Sequence, residues 1–585
     1  MSRTPRLSRA VAFVFCGWGV VVLASTVYAL STPAWVLGGD NGEFVTLFAR
    51  GGVAHPPGYP LYVMLLRAFA WLPMSAPRGA ALVTVGVGAL GVAMLFRACR
   101  AWGASASSAA IATAAFASSS LAWRLNSSAE VFGLNVLIAC GFVAAAAPNA
   151  PARGWKRVAQ LALFAGLGLS NHHSIVLLLP LGLWAIGRGF REEERRWRCF
   201  AAGLAFPLGL LPYAYLYEQA LHADPATAWV WGNIHDLRSL ASHFTRAEFG
   251  TTKLALRDAP LEPSAQLRHF TSWLVRDLLG LPVLMLVGAC ASLRRVRARG
   301  GVVALALTFA LSGPCFVAIF NIAPRGVGAL TVERFYLLPA ALACVLSAVA
   351  LERLIPRIEQ RVTTAAAISA MVLTAGFALG SADVSEDHRP TVDNYLRNTL
   401  NAAPPRAVIL GSGDQKFAGF LYARLVLGLR TDVDFITPEM LYGPWYKDRV
   451  SHELGVTLPP PSSDRLDLVS ELLATGRPVA FAGAVPRTLL DAGFVSYPLG
   501  TLQMMMPPHA EAPDPDALEV ANVKLLERFE LEPVASPSRA TWAGATFGEY
   551  ARTWLVLEAM LRSRGELDRA QHCHDRALAF APWLR

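Results

Sequence analysis

The sequence predicts a polytopic α-helical membrane domain followed by a C-terminal soluble α/β domain, and three observations carry that expectation. Of 585 residues, 54% are hydrophobic and 16% charged, against about a quarter charged in ordinary soluble domains, and mean hydropathy is +0.40. The apolar residues are gathered into blocks of bilayer-spanning length over the first two thirds of the chain. The remainder has ordinary polarity, with strand-like runs separated from helix-like ones by glycine-bearing turns.

The first apolar block, RAVAFVFCGWGVVVLASTVYAL, is too long for a signal-peptide core, and no small-residue cleavage site precedes Asp40, so it is expected to stay as a helix. Further spans are expected near residues 79–96, 104–122, 131–147, 158–171, 174–187, 200–217, 273–291, 301–320, 335–351 and 363–381. With the first, at 10–30, that makes about eleven transmembrane helices. Arginine-rich stretches fall at alternate ends: MSRTPRLSR, RACR, RGWKR, RGFREEERRWR, RRVRAR and ERLIPRIEQR. All lie on one side if the apolar piece from Gly58 to Pro73 does not cross, and the positive-inside rule makes that side cytoplasmic. At about fifteen residues this piece is short for a crossing and suits an amphipathic helix at the interface. The N-terminus is then cytoplasmic and the C-terminal domain extracytoplasmic. The expected division is a membrane domain over 1–382, with its first outer loop at 31–78, and an outer domain over 383–585.

The formal charge of +10 does not point to nucleic acid, because the arginines sit in short inter-helix loops rather than on one folded face. Most of the eight cysteines lie in or beside apolar blocks, so no disulfide framework is implied.

This topology gathers the unusual polar residues on the outer face, where charges at helix mouths are costly and mark function. Asp40 and Glu43 are three apart, so a helix there sets them on one face, where one carboxylate can act as a base while the other orients it. The pair would equally suit a plain helix start, whose dipole favours acidic residues. In HPPGYPLY, two prolines fix the backbone and hold His55 rigidly at the start of the interfacial helix, where an imidazole can donate to a phosphate. NSSAEVFGLN sets Glu130 and Asn135 at the mouth of the fourth span. GLSNHHS sets His172 and His173 at the outer end of the next, pointing about 100° apart and so poorly placed to share one metal ion. VERFYLLP places Glu333 and Arg334 at the start of the tenth span, and a guanidinium there can grip a phosphate or simply anchor the helix. Arg124 is a further outer cation, and the loop from Glu218 to Arg268 carries Trp231 and Asn233.

In the tail, GSGDQK at 411–416 lies between strand-like RAVIL and helix-like FAGFLYARLVLGL, with DVDFI following: a short βαβ pattern. Residues 546–582 carry tetratricopeptide-like offsets at Trp554, Leu557, Gly565, Ala570, Ala577 and Pro582, expected as one helical hairpin with its HCHD segment on the surface. No phosphate-binding Walker loop, dinucleotide fingerprint or zincin motif occurs.

Taken in order, DNGEF, GVAHPPGYPLY, AEVFGLN, GLSNHH, WGN with HFTRAEFG, and VERFYLLP resemble bacterial relatives of the transmembrane protein O-mannosyltransferase family, which are GT-C membrane glycosyltransferases. The string runs from the first span to about the βαβ segment. The resemblance implies a GT-C-like fold in a bacterial inner membrane, acting on a sugar that the family name leaves open, mannose being one candidate. It also implies a donor carried on polyprenyl phosphate and a hydroxyl acceptor on a protein or glycan. Asp40 occupies the catalytic acidic position of the first outer loop, with Glu43 close by. His55-Pro56-Pro57 is similar to an element lying near the donor phosphate in related enzymes; Arg334 and Arg124 are the further phosphate candidates. Tyr59, Glu130, Asn135, His172, His173, Trp231, Asn233 and Glu333 are candidate substrate contacts. No Asp-X-Asp signature stands in the first loop, so no metal or other cofactor is expected. A transporter or flippase, whose outer charges would gate a polar substrate, and a noncatalytic membrane scaffold remain the rival classes.

Overall fold

The computed structural model describes residues 17–224, 226–251, 260–285, 299–355, 362–462, 464–532 and 538–584. The basic N-terminal segment, the start of the first expected span, the end of the 273–291 span, most of RRVRAR and much of ERLIPRIEQR lie outside the described residues. The chain divides into two compact units: Met1–Ala34, Gly51–Asp224 and Trp229–His388 form one, and Trp35–Arg50, Pro225–Ala228 and Arg389–Arg585 the other.

The first unit is helical because its apolar blocks can face protein or lipid with every side chain only when the backbone satisfies its own hydrogen bonds. Five helical stretches among the described residues are long and apolar enough to cross a bilayer, among them Ala76–Ala101, His173–Glu192, Trp197–His222 and Val327–Leu354. Shorter apolar helices include Gly19–Leu30, Ala106–Ala117 and Phe132–Ala146. At 26 residues the helix Ala76–Ala101 is about 39 Å long, enough for a hydrocarbon core of about 30 Å. The helix Pro60–Ala68 has only nine residues, about 14 Å, and so cannot cross by itself.

Leu337–Leu354 is buried on every side from Leu337 to Leu351 and packs on Ala76–Ala101, Ala106–Ala117 and Phe132–Ala146. Alanine and serine dominate Ala106–Ala117, and such small residues let helix backbones approach closely. Glu352 meets the start of that helix, accepting from the Ser105 N–H at 2.8 Å and the Ser108 hydroxyl at 2.9 Å, so its charge lies where the helix dipole favours it. Outside the helices, a two-stranded parallel pairing of Gly52–Val53 with Trp229–Val230 joins the start of the HPPGY segment to the Trp231 loop.

The second unit holds a five-stranded sheet in the spatial order Asp434–Ile436, Val408–Gly411, Val479–Ala482, Leu502–Pro508, Phe494–Leu499. The first three are parallel and the last two pair antiparallel. GSGDQK is the turn from Val408–Gly411 into the helix Asp414–Leu425, whose return strand Asp434–Ile436 pairs beside the first. Trp542–Ser563 and Leu567–Phe580 form a hairpin around Trp554, Leu557, Leu561, Ala570, Cys573 and Ala577. Cys573, expected at the surface with the rest of HCHD, is fully buried. Its spacing from Ala570 and Ala577 puts all three on the inward face of the helix.

The helix Asn41–Arg50 belongs to this second unit. It lies against Asp414–Leu425 so closely that a Cβ on Gly42 would stand 2.5 Å from the Ala418 carbonyl oxygen. The Arg50 Nε–H donates to the Leu425 carbonyl at 2.8 Å.

Candidate functional site

The site in the first unit is built on the turn from His55 to Tyr59. The Gly58 N–H closes it onto the His55 carbonyl at 2.8 Å. Gly58 has φ +92, and a Cβ there would meet the Leu216 side chain at 2.2 Å and His243 Nε2 at 3.0 Å, so only glycine fits. Tyr59 follows at φ +44, a left-handed conformation unusual for an aromatic residue, and strain of this kind gathers at functional sites. That backbone places the Tyr59 hydroxyl 2.9 Å from His55 Nε2. Trp231, held by its N–H to the Val53 carbonyl at 3.1 Å, lies edge-on to the His55 ring at 5.9 Å, and its indole N–H donates to Glu248 at 3.0 Å. Asn233 is exposed on the same loop, and its carbonyl meets the His235 ring.

Tyr59 stacks on His172 at 6.0 Å. His172 in turn packs against Phe132 at 4.9 Å and Phe335 at 5.7 Å. It caps the short 3-10 helix His173–Leu178: its Nδ1 accepts the Ser174 N–H at 3.1 Å and lies 2.9 Å from the Ser174 hydroxyl. Asn135, almost wholly buried, donates to that hydroxyl at 3.0 Å. His173 faces Phe244 at 4.9 Å, away from this stack.

Arg334 closes the row. Its guanidinium lies over the Phe132 ring at 5.8 Å, with Glu130 3.6 Å away. A run of ring and cation contacts therefore leads from Trp231 and His55 through Tyr59, His172 and Phe132 to Arg334. It contains more cationic or proton-donating groups than carboxylates, and an anion suits it.

Arg124 and Glu333 form a different system. Arg124 pairs with Glu333 at 2.8 Å and Asp387 at 2.7 Å, and Glu333 also meets His269 at 3.1 Å. Two carboxylates already claim the Arg124 guanidinium, so its interactions are those of a structural tie between helices. Asp40 and Glu43 lie in the second unit. The Asp40 carbonyl accepts the Glu43 and Phe44 N–H groups at 3.0 and 3.3 Å, starting the helix Asn41–Arg50, and Glu43 is buried in its first turn. Among the described residues no group of three or more His, Cys, Asp or Glu side chains is arranged to hold a metal ion.

The family signature of the protein O-mannosyl-transferase TMEM260 N-terminal domain matches residues 40–195, which include Asp40 and the whole turn. Protein O-mannosyl-transferase TMEM260 of Mus musculus is 30% identical over 493 residues, 78% of this chain and 67% of that protein. The chain belongs to the TMEM260 protein O-mannosyltransferase family. The Dictyostelium discoideum member is 22% identical over 477 residues, 73% of this chain and 57% of that protein. Among solved structures, ArnT from Cupriavidus metallidurans in the apo state superposes with a TM-score of 0.53 at 14% identity, over 84% of this chain and 97% of ArnT. The fold is thus that of the GT-C glycosyltransferases, and this TMEM260-family chain is an integral membrane glycosyltransferase.

Sequence reasoning missed three members of the site in this TMEM260-family protein. His243 is buried beneath Gly58, and burial pulls its pKa down to about 3. Phe335 and Ser174 hold His172 from two sides. His243 lies in HFTRAEFG, a motif of the resemblance; Phe335 and Ser174 adjoin the motif residues Arg334 and His173. Each was within reach of the sequence, but only the fold shows which ring each one supports.

Proposed function

We propose that the enzyme moves a sugar, mannose as in its relatives' names, from a polyprenyl-phosphate donor to a hydroxyl of a protein or glycan acceptor on the extracytoplasmic face of the membrane. The observation that supports this best is the row from His55 to Arg334, which suits a phosphate and is lined by aromatic rings. The lipid phosphate enters from the bilayer and leaves to it.

The roles follow from the chemistry. On the first-loop motif, Asp40 is the base: it takes the proton of the acceptor hydroxyl as the oxygen attacks the anomeric carbon, with Glu43 orienting it. The bond from that carbon to the phosphate oxygen breaks, and its electron pair leaves with the phosphate. Stabilising that charge falls to His55 and Arg334. Phosphate is a competent leaving group, so the reaction needs no strong general acid, and a single displacement inverts the sugar. Tyr59 and Trp231 hold His55, Glu130 orients Arg334, and Asn233 with the rest of its loop faces the acceptor.

Transfer from a polyprenyl-linked sugar to a hydroxyl acceptor tests the reading in purified Asp40→Asn and His55→Ala proteins. Loss of a base is expected to slow transfer by about 10²- to 10⁴-fold, and loss of the imidazole to weaken use of the donor. Wild-type rates in both would remove the site.

A further inference from the structure

We infer that His172 works as an uncharged hydrogen-bond donor, presenting its Nε2–H to a phosphoryl oxygen of the donor lipid, and that Ser174 and Asn135 are the positioning residues that fix this tautomer. The inference rests on the lipid-phosphate reading above.

A backbone N–H can only donate. The Ser174 N–H, 3.1 Å from His172 Nδ1, therefore requires a lone pair on that nitrogen, and in a neutral imidazole the proton then sits on Nε2. The Ser174 hydroxyl accepts from Asn135 at 3.0 Å and lies 2.9 Å from the same Nδ1. Its own proton is thereby free to point at Nδ1 as well. Two donors converge on one lone pair, so a proton on Nδ1 would break both bonds.

The surroundings work in the same direction. His172 lies just before the membrane-spanning stretch His173–Glu192. Burial comes first in lowering its pKa to about 3, with electrostatic contributions from His173, Arg246, Arg334 and His55 adding to it. Tyr59, Phe132 and Phe335 wall the ring, and among the described residues no hydrogen-bond partner takes the Nε2–H. A phosphoryl oxygen, an acceptor only, fits a fixed neutral donor that shares the Phe132 ring with the Arg334 cation. Unlike an ordinary histidine, this donor stays uncharged across the physiological pH range.

The test uses the full-length protein in lipid nanodiscs, with mannosyl transfer from polyprenyl-phosphate mannose and inhibition by sugar-free polyprenyl phosphate. His172→Gln puts an amide N–H near the place of Nε2 and is expected to stay within about threefold of wild type, with an unchanged pH profile. His172→Asn keeps an acceptor for the Ser174 N–H but has no donor at that distance. It is expected to weaken inhibition by polyprenyl phosphate by roughly 10- to 100-fold, the loss of one charge-assisted bond. Ser174→Ala keeps its backbone N–H and should show a smaller loss, restored by Ser174→Thr.

Equal damage in the Gln and Asn variants, wild-type inhibition of His172→Asn, or an ionisation missing from the His172→Gln profile would overturn the inference. A wild type inert towards polyprenyl-phosphate mannose would instead sink the donor reading. In that case nitrogen NMR of wild type against His172→Gln still decides the tautomer: an unprotonated Nδ1 supports the lock, and a protonated one refutes it.

Discussion

Glu333 and Arg334 are neighbours in sequence but serve two differently built charge systems. Glu333 joins Arg124, Asp387 and His269 in a set where one guanidinium meets two carboxylates at 2.7 and 2.8 Å. Arg334 keeps its carboxylate, Glu130, at 3.6 Å and lies over an aromatic ring. Short ion pairs lock helices together. The Arg334 contact is longer and lies beside rings and histidines. We propose from this difference that Arg124, a phosphate candidate on its sequence position, ties helices together and that Arg334 binds the donor phosphate.

The largest effect should come from Arg124→Met. Leaving Glu333 and Asp387 without their cation is expected to destabilise the membrane unit by about 3–5 kcal/mol, read as a lowered unfolding temperature in detergent. A variant with unchanged stability and lost donor binding would reverse the comparison. Arg334→Gln should leave the unfolding temperature near wild type and cost about 10²- to 10³-fold in transfer rate, as for loss of one group that stabilises developing negative charge.

A third variant concerns the helix that follows Asp40. Gly42→Val would drive a side chain into the Ala418 carbonyl, with an expected cost of about 1–3 kcal/mol in the second unit and a fall in transfer rate as the helix start shifts. Normal unfolding and normal turnover would show that this close approach does not matter.

The smallest effect is a pH dependence in the same unit. Burial raises the Glu549 pKa, but Lys416, 2.8 Å away, and Arg552 outweigh it and hold the carboxyl below its ordinary 4.5. A carboxyl with a depressed folded-state pKa contributes stability above its unfolded value and loses it as pH falls through the folded one. The wild type is therefore expected to lose stability on acidification below about pH 4.5, and Glu549→Gln to lose less, in a pH series of thermal unfolding. Parallel curves would contradict the assignment.

How much of this was legible in the sequence depends on the range over which each feature is encoded. Apolar blocks announce membrane helices because burial in lipid demands local composition, and HPPGY announces a rigid turn because proline and glycine act on their own backbone. The ion pair of Arg124 was hidden because its partner Asp387 lies more than 250 residues away. Likewise, nothing near Gly42 says that Ala418 will press against it, so the membership of the Asp40 helix in the second unit needed coordinates. Cys573 was the opposite case: its spacing from Ala570 and Ala577 already marked the inward face.

The central claim is that a lipid-borne phosphate occupies the row from His55 to Arg334. Transfer by the purified protein from polyprenyl-phosphate mannose, run beside a nucleotide-linked mannose, tests it most directly. The account predicts transfer from the lipid donor alone, inhibited by polyprenyl phosphate in wild type and far less in Arg334→Gln. Transfer from the nucleotide sugar, or equal inhibition of both proteins, would contradict it.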